Sequence, residues 1–129
     1  MSLKKTTNLN FQIDVATAYV PHESDPENRH YFFAYKISIK NLGQHSAQLV
    51  SRHWIITDAF GRSEEVRGPG VVGLQPKIPP QQSFEYESAC PLSTNTGSMR
   101  GFFNFLSEDG ETIPVEITEF FLVAPQAIH

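Results

Sequence analysis

A chain of 129 residues accommodates one domain and can bury roughly two thirds of its unfolded surface without disulfides or a structural metal. Hydrophobic residues make up 40% and aromatics 12%, with ten phenylalanines, a bulky composition that suits a sheet core and argues against a helix bundle. The net charge of −4 and a pI near 5.7 argue against general nucleic-acid binding, since the ten Lys and Arg are scattered with no run beyond Lys4-Lys5.

Cys90 is the only cysteine, so no intramolecular disulfide can form, which favours a reducing compartment and a cytoplasmic location. The first residues, Met1 to Asn8, hold no apolar stretch of the secretory type. No run approaches the roughly 18 apolar residues of a membrane span. A single domain over 1–129 is expected, with its core at about 9–124 and loose tails at about 1–8 and 125–129.

The hydrophobic period is two almost throughout. Phe11, Ile13 and Val15 alternate with Gln12, Asp14 and Ala16, and Tyr31, Phe33, Tyr35, Ile37 and Ile39 alternate with Phe32 to Lys40. Each pattern sends one set of side chains to a core and the other to water. Asn41-Leu42-Gly43 reads as a turn. In the next strand, about Gln48 to Asp58, Leu49, Trp54 and Ile56 do not share a phase. A β-bulge near Ser51 to His53 explains the break, and Trp54 is expected to anchor the core between two sheets. Ala59 to Arg62 turns the chain into a short polar edge strand, Ser63 to Arg67.

Phe84 and Tyr86 alternate with Glu85 and Glu87 in a strand ending near Cys90-Pro91. Met99 to Leu106 is apolar on both faces, and Glu108-Asp109-Gly110-Glu111 is a hairpin signal. The last strand carries Ile113, Val115 and Ile117, then changes phase to Phe120 and Leu122. No window reads as an amphipathic helix, and the prolines sit between or beside strands. The pattern predicts an all-β, two-sheet antiparallel sandwich of the immunoglobulin or fibronectin type III kind, with about seven strands.

Four constellations bear on chemistry. Gly68-Pro69-Gly70-Val71-Val72-Gly73 matches G-x-G-x-x-G, but Pro76, Pro79 and Pro80 forbid the helix that a dinucleotide site needs. It reads either as a glycine loop crossing between sheets or as a nest of N–H groups for an anion, aided by Arg62, Arg67 or Lys77. His22 to His30 is the most polar stretch; its histidines and carboxylates match no known metal spacing, leaving His22, Asp25 and His30 as weak divalent-cation candidates beside a solvated loop. There is no nucleophile elbow, Cys90 is expected as a small buried hydrophobe, and His53 as packing, so no enzyme and no cofactor are expected. In Gly101 to Leu106 one face must lie outside the core. Phe103 and Phe105 share the phase of Met99 and are expected inside. Phe102, with Arg100 and Asn104, faces outward toward a covering loop or a partner.

Ser24-Asp25-Pro26-Glu27-Asn28, Phe33-Ala34-Tyr35, Asn41-Leu42-Gly43, Arg52-His53-Trp54-Ile55-Ile56, the glycine loop, Gln75-Pro76, Pro91-Leu92 and Gly97-Ser98-Met99-Arg100-Gly101, in this order, resemble the ApaG (CorD) family from about Phe11 to Ala124. The resemblance implies a fibronectin-type-III-like sandwich, a cytoplasmic bacterial protein and no established catalytic activity. The family's names associate it with diadenosine-tetraphosphate metabolism and with cobalt and magnesium tolerance. Similar domains in an F-box protein and a DNA-polymerase-interacting protein look like protein-interaction modules. Two departures stand out. Pro79-Pro80-Gln81-Gln82 replaces the family's Pro-Gly, so a turn needing positive φ would have to be rebuilt. Phe103 stands where the family commonly has Tyr, without the hydroxyl.

The chain therefore reads as a non-catalytic binding module that engages a protein, or a second copy of itself, through the aromatic sheet face. Pyrophosphate or a dinucleoside polyphosphate at the glycine loop is the alternative, and a cobalt- or magnesium-linked role at His22–His30 the second.

Overall fold

The computed structural model describes residues 10–125; apart from Pro125, the tails expected to be loose lie outside the described residues. The chain forms β1 (Phe11–Tyr19), β2 (Tyr31–Asn41), β3 (Ala47–Asp58), β4 (Ser63–Pro69), β5 (Lys77–Ile78), β6 (Ser83–Leu92), β7 (Thr96–Ser107) and β8 (Thr112–Val123). Short 3-10 turns lie at Pro21–Glu23 and Pro26–Asn28. A three-stranded antiparallel sheet, β1-β2-β6, packs on a second sheet ordered β4-β3-β7-β8, with β5 added to β3. The strand beyond the expected seven is β5: Lys77 and Ile78 pair with Gln48 and Ala47, a contact too short to leave a period in the sequence.

The alternating residues face each other across the sandwich. Phe33, Ile37 and Ile39 of β2 are buried against Leu49, Phe103 and Phe105 of the opposite sheet. Trp54 is 3% exposed. Its ring meets Tyr35 at 5.8 Å, Phe103 at 6.1 Å and Phe120 at 5.8 Å, each edge-on, so it bridges the two sheets as expected. Burial of each such side chain contributes about 1.5–3 kcal/mol.

The blurred phase of β3 is a register break between Leu49 and Ser51 in its pairing with β7, slightly earlier than the expected Ser51 to His53. The phase change in β8 corresponds to a second break between Met99 and Gly101. The three strands carrying a proline, Pro69 in β4, Pro91 in β6 and Pro114 in β8, are edge strands, where a missing N–H leaves no ladder bond unmade. Asn41, fully buried, is satisfied on all sides: its side chain donates to the His45 and Ile78 carbonyls and accepts from the Gly43 amide.

The Pro79–Gln82 turn is not rebuilt. The Gln82 amide donates to the Pro79 carbonyl at 3.1 Å, and Gln81 itself takes the positive φ, 65°. An L-residue pays steric strain there, which the surrounding hydrogen bonds hold in place.

Candidate functional site

The glycine loop leaves β4 and returns toward β3. Three of its amides are engaged within the fold. Gly70 donates to the Val50 carbonyl at 2.9 Å, and Val71 and Leu74 exchange bonds of 2.8 Å across a tight turn whose central residues, Val72 and Gly73, have φ 43° and 80°. The glycines have steric reasons: a Cβ on Gly70 would lie 2.0 Å from the Leu74 carbonyl oxygen, and one on Gly68 would lie 3.0 Å from the Arg52 guanidinium.

Arg52 is the cation that meets this loop. It pairs with Phe103 in the β3–β7 ladder, in the inward phase of Trp54, and its Nη1 donates to the Pro69 and Gly70 carbonyls, each at 3.0 Å. At Pro69 and Gly70 the loop thus presents carbonyls to a guanidinium, the opposite polarity to amides turned toward an anion. The three cations expected to assist are not brought together there. Arg62 pairs with Asp58 at the far end of the β3–β4 ladder, which runs from Thr57–Ser63 to Ser51–Pro69. That is about 20 Å at ~3.3 Å per residue. Arg67 pairs with Glu65, and Lys77 lies on β5 beside Gln48.

At the His22–His30 stretch all of the three candidate ligands are exposed. The Asp25 carboxylate accepts from the Asn28 side chain at 2.7 Å, and the Asp25 and His30 backbones bridge each other. Among the described residues no three His, Cys, Asp or Glu side chains gather as a metal cluster. Cys90 is buried, and burial pushes its thiol up to about 11, with the charge of Glu64 adding to the shift. A thiol held so high is almost wholly protonated at neutral pH and is a poor nucleophile. Tyr86 is buried with its hydroxyl unpartnered, and burial raises that phenol far above its ordinary value, against the opposing field of Arg52.

The outer face of the larger sheet carries the residues expected to meet a partner. Met99, Phe103 and Phe105 point inward and are buried, whereas Phe102, in the opposite phase, is only partly buried. Its ring lies 6.4 Å from His53, its ladder partner on β3. Asn104 donates to the Ser51 hydroxyl at 2.9 Å, and Arg100 is exposed opposite Ile55. His53 contacts Glu65 at 2.7 Å, so it belongs to this face and not to the core. The contact with His53, and next the Arg67 charge, hold the Glu65 carboxyl below its usual range.

The chain matches the model of the ApaG domain over residues 21–107. It is 60% identical to Protein ApaG of Bdellovibrio bacteriovorus over 98% of this chain and 100% of that one. The chain belongs to the ApaG family. A second ApaG relative, from Dechloromonas aromatica, is 46% identical over 98% of this chain and 100% of its own. A crystal structure described as an ApaA protein from Bordetella pertussis superposes with a TM-score of 0.88 at 48% identity, covering 92% of this chain and 96% of the other. The ApaG match confirms the family expected from the ordered motifs, and the superposition shows that the solved relative shares this sandwich.

Sequence reasoning missed three features. Arg52 was visible only as part of a motif. Phe60, 74% exposed in the β3–β4 turn, and Phe121 and Val123, 63% and 43% exposed on β8, are large apolar groups in water. An aromatic residue inside a four-residue turn was the available signal for the first.

Proposed function

We propose that this ApaG chain is a non-catalytic, cytosolic protein-binding module that uses the outer face of the larger sheet. The observation that carries the proposal is the opposed phase of adjacent phenylalanines: Phe103 is fully buried while Phe102 is held at the surface between His53, Arg100 and Asn104. Aromatic and arginine side chains on a rigid sheet supply contact area at low entropic cost, the composition of binding hot spots. The inert, buried Cys90 supports a role without nucleophilic chemistry.

The test pairs two substitutions. Phe102→Ser leaves the melting temperature close to wild type and removes an association, either self-association in sedimentation or a partner recovered by affinity capture from native cells. Phe103→Ser unfolds the domain. Equal destabilisation by both substitutions refutes the proposal, because Phe102 would then serve the fold alone.

A further inference from the structure

The end of the sandwich opposite the glycine loop presents Phe60 from the Ala59–Arg62 turn. Such exposure is ordinary in a loose loop, but this turn is tightly held. The Asp58 Oδ1 accepts from the amides of Phe60 at 2.9 Å and Arg62 at 3.0 Å, and the Gly61 amide donates to the Asp58 carbonyl at 3.1 Å. From the neighbouring loop the buried Thr94 hydroxyl accepts from the Ala59 amide at 3.0 Å and donates to the Thr96 carbonyl at 2.8 Å. The Phe60 ring is thus displayed on an ordered support, with the Arg62 guanidinium 5.3 Å from its centre.

Beside it lies a cleft of about 440 Å³ whose lining includes Arg29, Tyr31, Phe60, Arg62, Ser93 and Asn95. In a chain of net charge −4, this lining holds two guanidiniums and no carboxylate. The Arg62 Nε pairs with Asp58 behind the turn at 3.3 Å, and its two Nη groups have no partner among the described residues. Ala59 is shared between this cleft and a second, smaller one whose lining includes Phe121 and Val123, which extends the apolar surface.

We propose that this end of the sandwich is a second docking site, independent of the Phe102 face, for an acidic peptide segment of a partner protein. Its carboxylates pair with Arg29 and Arg62, whose planar forks match a carboxylate through two N–H groups. An apolar side chain of the segment packs on Phe60 and reaches toward Phe121. Inorganic phosphate would satisfy the guanidiniums and leave the exposed Phe60 ring in water, whereas a peptide can cover both.

The experiment selects a phage-displayed random octapeptide library on the full chain and measures the enriched peptides by NMR titration. The expected result is a consensus with Asp or Glu beside Leu, Ile or an aromatic residue. Saturable shifts should centre on the amides of Arg29–Tyr31, Ala59–Arg62 and Ser93–Asn95, weakened by salt. Phe60→Ser and Arg29→Glu each raise Kd about tenfold or more at an unchanged melting temperature, whereas Phe102→Ser leaves Kd unaltered. No enrichment, a neutral or basic consensus, or equal displacement by inorganic phosphate or single-stranded DNA overturns the proposal. Shifts that map to Phe102 and His53 overturn it as well, while supporting the sheet-face reading.

Discussion

Replacing Arg52 by methionine keeps most of the aliphatic stem beside Phe103 and removes the guanidinium, so the substitution isolates what Arg52 does for the glycine loop. Two hydrogen bonds are lost, to the Pro69 and Gly70 carbonyls, both 3.0 Å long. A bond to a charged donor contributes about 1.5–3 kcal/mol net. The Gly70 bond is partly buried and the Pro69 bond is solvent-exposed, so water replaces the second more readily and the expected loss is about 2–3 kcal/mol, below the sum of two full bonds. Urea unfolding monitored by Trp54 fluorescence measures it, with the slope unchanged if the denatured state is unaffected. Hydrogen exchange at Val71 and Leu74, which close the turn, should accelerate in the same variant. A loss under about 0.5 kcal/mol refutes the reasoning, since surface substitutions without a structural role fall in that range. A saturable shift of the Gly68–Gly73 amides by pyrophosphate in the wild-type chain would refute it too.

Two residues in the left-handed region are candidates for relief of strain. Gln81→Gly and Val72→Asn, at φ 65° and 43°, should each stabilise by about 0.5–1 kcal/mol in the same urea assay, and a loss in both would show that the surrounding contacts need the native side chains. Tyr86→Phe removes the one buried side-chain polar atom without a partner among the described residues, so stability should hold or rise; a loss beyond about 1 kcal/mol would reveal a hydrogen bond to an ordered water. Acid should weaken the fold through Asp58 and Glu65. At Asp58 desolvation pushes the carboxyl up but is outweighed by the amides of Arg62 and Phe60 and by the guanidinium, and Glu65 is lowered by His53 and Arg67. Folded values below the unfolded ones mean that this contribution is present above the ordinary carboxylate range and is lost as pH falls through the folded values. Thermal melts from neutral pH to about pH 3 should show the decline, and Asp58→Asn should flatten it; an unaltered slope in that variant would remove Asp58 from the account.

The amino-acid sequence by itself carried the strands, because a half-buried strand writes a period of two into its residues. Alternation set Phe33, Ile37 and Ile39 on one face of their strand, and the phase shared with Met99 placed Phe103 and Phe105 inside against Phe102. The same periodicity exposed both breaks of phase, since an extra residue in one strand flips every later side chain. Tertiary structure decided what has no period. Strand β5 exists only because Ala47 and Gln48 offer it an edge. The loop's polarity depended on where the Arg52 side chain ends, 17 residues from Pro69 in the chain and 3.0 Å away in space. The cleft at Phe60 draws Arg29, Arg62 and Asn95 from three loops that the two packed sheets bring to one end of the sandwich. Local pattern reports which way a side chain points from its own strand. Which loops meet depends on how the sheets stack, and that is set by the packing of Trp54 and its neighbours across the core.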